Sequence, residues 1–393
     1  MRTPLAWKNL TSSWSKCALA AMGVGFAVLL MFMQIGFSNA LIDNNVQIFN
    51  LFDHQHVNLV IMSRARYNVS TEQRFPRSLL EQAKSLPGVI DACAVSVERG
   101  TASVKVAGHA QHPIRVIGIE LRHADFFNQP ELYEQLRAAD RRDAALVDTR
   151  SKSAYGFAHA PAELALQHIE LNHRVIPVLG QFELGTDFGN DGTLLMSQRV
   201  HGEYFPWRTQ TRNPADVVDI GLLRAQAKSM QELDLLAARI ESLAPQMIDV
   251  RRTEKFVKRE KEFWGGATPI GKIFLIGTVM GLVVGAIICY QIQFTDISEH
   301  MPEFATLKAM GYSTGYFWSI VLCQSVYLAC LGFVPGFLAS CALYALLAES
   351  SGLLMTMTWD RVLLVWALTL LMCIISGALA IRKLFGTDPA SLF

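Results

Sequence analysis

The feature that most constrains this chain is the placing of four apolar runs, one near its start and three near its end. They are Cys17–Phe37, Ile273–Ile292, Ile320–Leu347 and Val362–Ile381, and none carries Asp, Glu, Lys, Arg or His in its middle. A bilayer core of about 30 Å is crossed by about 20 apolar residues in a helix, because lipid offers no partner for an unpaired backbone group. Each run therefore reads as a membrane span. Ser38-Asn39-Ala40, behind the first run, resembles a signal cleavage site. A signal-peptide core is usually about 7–15 residues, so this longer run reads as a retained anchor.

Basic residues set the orientation. Arg2, Lys8 and Lys16 precede the first span and Arg382-Lys383 follow the fourth, which places both termini on the cytoplasmic side. The expected division is then a leading segment 1–16, spans at 17–40, 272–293, 320–347 and 362–381, and a tail 382–393. Residues 41–271 and 348–361 lie outside, and 294–319 form a cytoplasmic loop. The loop charges Asp296, Glu299, Glu303 and Lys308 do not follow the positive-inside bias, so the ends carry this assignment. Charged residues make up 18% of the chain, against roughly 25% in a soluble domain, and the net charge of +1 leaves no basic face for nucleic acid.

The spans are patterned for packing. Gly277, Gly281 and Gly285 repeat every fourth residue, as do Gly332, Gly336 and Ser340. Such ladders let helix backbones approach closely in lipid. Gln34, Gln291 and Gln324 are the strongest polar groups in the spans and read as interhelical hydrogen-bonding residues, and Pro335 reads as a kink. Of seven cysteines only Cys93 lies outside the apolar runs, so no disulfide framework can form in the hydrophilic region.

Between the first and second spans, strand-like and helix-like segments alternate. Val57–Ser63, Val89–Val97, Ala102–Val106, Ile114–Ile119, Val217–Gln226 and Gln246–Val250 read as strands; Arg77–Ser85 and Ser229–Leu243 read as helices, with Ser229 as N-cap. Residues 122–214 are richer in Gly, Asn, Asp and Arg and less periodic, and read as an inserted second lobe. The fold class is thus an α-helical membrane protein with four transmembrane helices plus an α+β outer domain with an inserted lobe. The charged stretch Arg251–Glu262 reads as a solvated helix leading to Phe263-Trp264 at the membrane interface.

Catalytic signatures are thin. Gly266-Ala267-Thr268-Pro269-Ile270-Gly271-Lys272-Ile273 misses a phosphate-binding loop at its last position, where Ser or Thr holds magnesium. His54 with His56, and His109 with His112, have no Cys or acidic pattern at ligand spacing and read as loop histidines. No catalytic or metal residue is assigned, and nothing in the sequence argues for an enzyme.

The run Pro302-Glu303-Phe304-Ala305-Thr306-Leu307-Lys308-Ala309-Met310-Gly311 resembles the E-x-(A/G)-x-L-(K/R)-A-(L/M)-G motif of the FtsX/MacB superfamily of ABC-transporter permeases. Asp388-Pro389-Ala390 is similar to that superfamily's D-P-A tail, and one span, a large outer domain and three further spans is its layout. The wording of both motifs most resembles DevC-type permeases. The resemblance implies that Glu303, Phe304, Ala305, Thr306, Leu307, Lys308, Ala309, Met310 and Gly311 form a coupling helix that docks on a separate ATPase. Phe304, Leu307 and Met310 would be its buried face, with Glu303 and Lys308 at the rim. It further implies a homodimer in the bacterial inner membrane with a periplasmic outer domain, an ABC ATPase dimer holding ATP and magnesium, a membrane-fusion protein and an outer-membrane channel. No cofactor is then bound by this chain, and the cargo is a lipid, glycolipid or amphipathic compound. Lipoprotein release, or FtsX-like regulation of a periplasmic cell-wall enzyme, is the alternative within the same superfamily.

Overall fold

The computed structural model describes residues 14–66, 68, 73–187, 189–208, 216–351, 355 and 357–385; Arg2, Lys8 and the Asp388-Pro389-Ala390 tail lie outside the described residues. The chain divides into two units. One comprises Met1–Asn39, Pro269–Leu347 and Met355–Phe393, and the other Ala40–Thr268 and Ala348–Leu354.

The first unit is built on four helices long and apolar enough to cross a membrane. They are Trp14–Val46, Pro269–Glu299, Thr314–Ser351 and Trp359–Phe385. All four outrun their apolar cores, because helicity ends at a breaker while apolarity ends at the edge of the lipid. Phe294–Glu299 is polar but contains no Gly or Pro, so the second helix continues through it. The stretch 294–319 is consequently mostly helical, with a separate nine-residue helix at Met301–Ala309. The third helix runs unbroken through Pro335. The first helix is central: Val24, Ala27, Val28, Met31 and Phe32 are fully buried, in one cluster with Cys289, Leu328, Ala329, Val365 and Met372 from the other three.

The second unit is a twisted sheet flanked on both faces. Its early strands are β1 (Leu59–Ser63), β2 (Phe75–Pro76), β3 (Val89–Glu98), β4 (Ser103–Val106), β5 (His112–Pro113) and β6 (Arg115–Ile119). The segment 122–214 supplies β7 (Ala145–Asp148), β8 (Ile169–Leu171), β9 (Arg174–Val175), β10 (Val178–Phe182) and β11 (Thr193–Ser197). The chain then returns with β12 (Val217–Val218), β13 (Ile220–Ala225) and β14 (Ile248–Arg252). Eight strands form the main sheet in the order β10-β7-β11-β6-β3-β13-β1-β14.

Side chains alternate across a strand, and here both faces are apolar. Val60 and Met62 join Val95, Ile117, Leu146 and Leu222 on one face, under the helix Pro130–Asp140 and Phe49, Phe126 and Phe256. Leu59 and Ile61 face the other way, under the helices Arg77–Lys84 and Met230–Glu241. The segment 122–214 is knitted into this sheet. β11 pairs parallel with β6, Thr193 opposite Arg115, and antiparallel with β7. β8 and β9 join β4 and β5 in a smaller sheet, with Val104 opposite Leu171 and Val106 opposite Ile169. The added lobe therefore draws on residues 103–113 as well as on 122–214.

Candidate functional site

The helix Met301–Ala309 is set by its ends. Pro302 occupies the first turn, where a missing N–H costs nothing. Glu303 lies at the positive end of the helix dipole and Lys308 at the negative end. His300 joins this helix to the second span: its backbone N–H and its Nδ1 donate to the Asp296 carbonyl at 3.2 and 2.9 Å, while its own carbonyl accepts from Glu303 and Phe304 at 3.1 Å. At the other end Gly311 N–H donates to Lys308 O and Tyr312 N–H to Leu307 O. Gly311 has φ of +92°, a conformation that L side chains resist. No atom lies within 4 Å of where its Cβ would be, so the backbone, rather than crowding, requires glycine here.

The three apolar residues expected to share one face are divided. Phe304 is 4% exposed and lies edge-on to Phe317, 5.6 Å between centroids, within a cluster of Ile297, Ile320, Val321, Ala380 and Ile381. Leu307 is half-buried against the same cluster, and Met310 is 64% exposed. At about 100° per residue a three-residue step falls short of a full turn by about 60°, so two steps carry Met310 away from Phe304. Phe304 anchors the helix to its own spans. Glu303, Ala305, Thr306, Lys308, Ala309, Met310 and Gly311 form the exposed surface.

Polar side chains link the spans next to this helix. Gln324 on the third span donates to Asp296 Oδ2 at 3.1 Å. Its neighbour Ser325 donates to Gln293 Oε1 at 2.7 Å, and Gln293 Nε2 donates to the Cys373 carbonyl of the fourth span at 3.2 Å. Ser376 on the fourth span donates to the Ala286 carbonyl of the second at 2.9 Å. Gln324 alone of this group was read from the sequence as an interhelical hydrogen-bonding residue, Asp296 having been read only as a loop charge. The signal for the others is the spacing of Gln293, Asp296 and His300, which puts all three on one face of a helix; Gln291, on the opposite side of that helix, is exposed.

The glycine ladders meet the first span on two sides. A Cβ at Gly277 would lie 2.6 Å from Gln34 Oε1, and one at Gly285 2.6 Å from both Ala27 Cβ and Met372 Sδ. Gly281 is roomier, 3.7 Å from Leu30 Cβ. From the third span, Gly336 would meet the Gly25 carbonyl at 2.6 Å and Val28 Cβ at 2.8 Å, and Gly332 the Ala21 carbonyl at 3.1 Å.

The second unit holds two buried ionic clusters that sequence reading missed, since charge without local pattern gives no sign of burial. Fully buried Arg115 donates to Asp187 Oδ2 at 2.7 Å, to Thr193 Oγ1 and to the Gly185 carbonyl. Burial acts to raise the Asp187 pKa, but Arg115 and Arg99 outweigh it and hold the carboxyl at about 2. In the second cluster Asp219 is paired with Arg208, and Arg208 donates to His201 Nε2 at 3.2 Å. Burial first, then Arg208 and Arg74, push the His201 pKa well below the usual value, so the ring is neutral. The histidine pairs are peripheral: His56 bonds Asp53 at an exposed turn, and the His112 ring lies tilted against Tyr155.

Residues 274–389 match the family of FtsX-like permease C-terminal domains. The chain is thus a multi-pass membrane protein, and the matched segment takes in its last three spans with the helix between the second and third. No curated protein sequence matches the chain. Among solved structures, the periplasmic region of MacB from Actinobacillus actinomycetemcomitans is 11% identical with a TM-score of 0.36, over 54% of this chain and 94% of that one. The extracellular domain of YknZ, a noncanonic ABC-type transporter of Gram-positive bacteria, is 11% identical with a TM-score of 0.33, over 50% of this chain and 98% of that one.

Proposed function

We propose that this chain is the non-catalytic membrane subunit of an ABC-type exporter, docking a separate ATPase through the helix Met301–Ala309. The observation that carries the reading is the build of that helix inside the permease-family segment: one face bolted to the spans through Phe304, the other exposed from Glu303 to Met310. A helix held in this way moves the ends of its spans when it is pushed. Two copies pair in the bacterial inner membrane with both termini in the cytoplasm. Two ATPase subunits close on ATP and magnesium beneath them, and the periplasmic domains respond. Lipid, glycolipid or amphipathic cargo then passes through a membrane-fusion protein to an outer-membrane channel. The DevC-like wording of the 302–311 motif supports the exporter over the other roles within this superfamily.

Affinity purification of the tagged chain from mild detergent, with mass spectrometry of the associated proteins, tests this. An ATPase together with a membrane-fusion protein is the expected result. An ATPase with a lipoprotein carrier or a cell-wall hydrolase would move the assignment to lipoprotein release or to regulation. No ATPase at all would refute the docking role.

A further inference from the structure

Polar contacts near the loop helix join the second, third and fourth spans. His300, immediately ahead of that helix, bonds the Asp296 carbonyl through both its backbone and its ring. The Asp296 carboxylate accepts from Gln324, and the residue after Gln324 donates to Gln293. Gln293 is 6% exposed and uses both ends of its amide: the oxygen lies 2.7 Å from Ser325 Oγ, whose one proton it shares with the Val321 carbonyl at 2.9 Å, and the nitrogen donates to the Cys373 carbonyl. The fourth span lies flush against this junction because residue 377 is glycine; a Cβ there would sit 2.5 Å from Gln293 Oε1.

We propose that Gln293 is a positioning residue that carries a displacement of the loop helix into the fourth span. The inference rests on the docking role assigned to that helix. Two properties support it. A buried amide in lipid has no water to fall back on, so neither of its bonds is readily given up. The two bonds also lead to different helices, so a shift of the second span at Asp296 and Gln293 draws the third and fourth spans with it. Polar groups inside spans are more often functional than incidental, and these gather beside the one helix that faces the partner.

The test uses the full chain with its copurified ATPase in lipid nanodiscs, with hydrogen exchange read by mass spectrometry without nucleotide and with ATP plus vanadate. Wild type, Gln293→Leu and Ser325→Ala are compared at matched ATPase occupancy. In wild type, nucleotide changes exchange in the peptides covering 301–311 and 373–385. In Gln293→Leu the change at 301–311 persists and that at 373–385 falls at least tenfold. Ser325→Ala, which removes one hydroxyl, reduces it in the same direction and decides the matter where Gln293→Leu does not insert. A wild-type response at 373–385 in both variants overturns the proposal, as does a wild-type chain with no response there. Failure of wild type to capture any ATPase overturns instead the docking role on which it rests.

Discussion

Replacing Gly336 by alanine gives the sharpest check on the packing of the first and third spans. The added methyl would lie 2.6 Å from the Gly25 carbonyl oxygen and 2.8 Å from Val28 Cβ, where comfortable contact is about 3.5 Å or more. The nearest obstacle is backbone, so no rotamer change relieves it and the helices must part by several tenths of an ångström. Overpacking of this kind costs about 1–3 kcal/mol. Gly281→Ala is the matched control: it too replaces a helical glycine, but its methyl meets Leu30 at 3.7 Å, an ordinary contact. The intrinsic helix gain of alanine over glycine, about 1 kcal/mol in water, is common to both variants and cancels in the comparison. Gly336→Ala should therefore be about 1–3 kcal/mol less stable than Gly281→Ala. At about 2–4 °C per kcal/mol for a unit of this size, that is a difference on the order of 5 °C in the melting temperature of purified detergent-solubilised protein. Equal melting temperatures would refute the close approach of the first and third spans at Gly25.

Four further outcomes follow from the geometry. Met310→Asp, at an exposed position, should abolish ATPase capture in a pull-down with little change in melting temperature, whereas Phe304→Ala, which empties a buried site, should destabilise by about 3 kcal/mol or more. Gly311→Pro should also lose ATPase capture, because it disturbs the turn at φ of +92° that ends the helix, while the protein still inserts into the membrane. Asp187→Ala strips fully buried Arg115 of its carboxylate partner and should cost about 3–5 kcal/mol, read by chemical unfolding of the full chain. Neutral His201 binds no proton while the unfolded chain does, so stability should fall as pH drops below about 6.5, by up to about 1.4 kcal/mol per unit, and His201→Gln should flatten that slope.

The spans were legible because lipid imposes a length and a composition that few other structures share. The central strands were legible too: Leu59–Ser63 and Arg115–Ile119 lie within segments that read as strands from their β-branched runs. The helix Met301–Ala309 falls on the motif, but its buried face was not legible, since three-residue spacing approximates a helical stripe only over one turn. Asp187, His201 and Arg208 stayed hidden for a different reason. Each is polar and locally unremarkable, and each is buried only because distant strands and loops close over it. The extent of the added lobe was obscured likewise, because β4 and β8 are 60 or more residues apart in sequence, and no local composition shift marks their pairing.

The two ways in which the spans adhere have different mechanical consequences. Hydrogen bonds tie the second, third and fourth spans near the loop helix, and such bonds have a fixed direction and a steep distance dependence. The first span meets the second and third along glycine surfaces, where contact is set by shape and by many weak attractions, and the third span is also tied to it by a buried hydrogen bond from Tyr344 Oη to the Phe32 carbonyl. A directional bond resists sliding more than a smooth steric seam does. Around Gly25, Gly332 and Gly336 the contact of the first and third spans is therefore the more compliant, away from the Tyr344 bond. The placing of Pro335 fits this division. It lies between Gly332 and Gly336, its Cγ 3.6 Å from where a Cβ on Gly25 would be, and a proline interrupts helix hydrogen bonding where bending is easiest. Pro335→Ala should leave the spans packed and stiffen the third helix. In the nanodisc hydrogen-exchange experiment, the nucleotide response at 301–311 should then remain while exchange at 332–340 slows; unchanged exchange at 332–340 would show that the proline is no hinge.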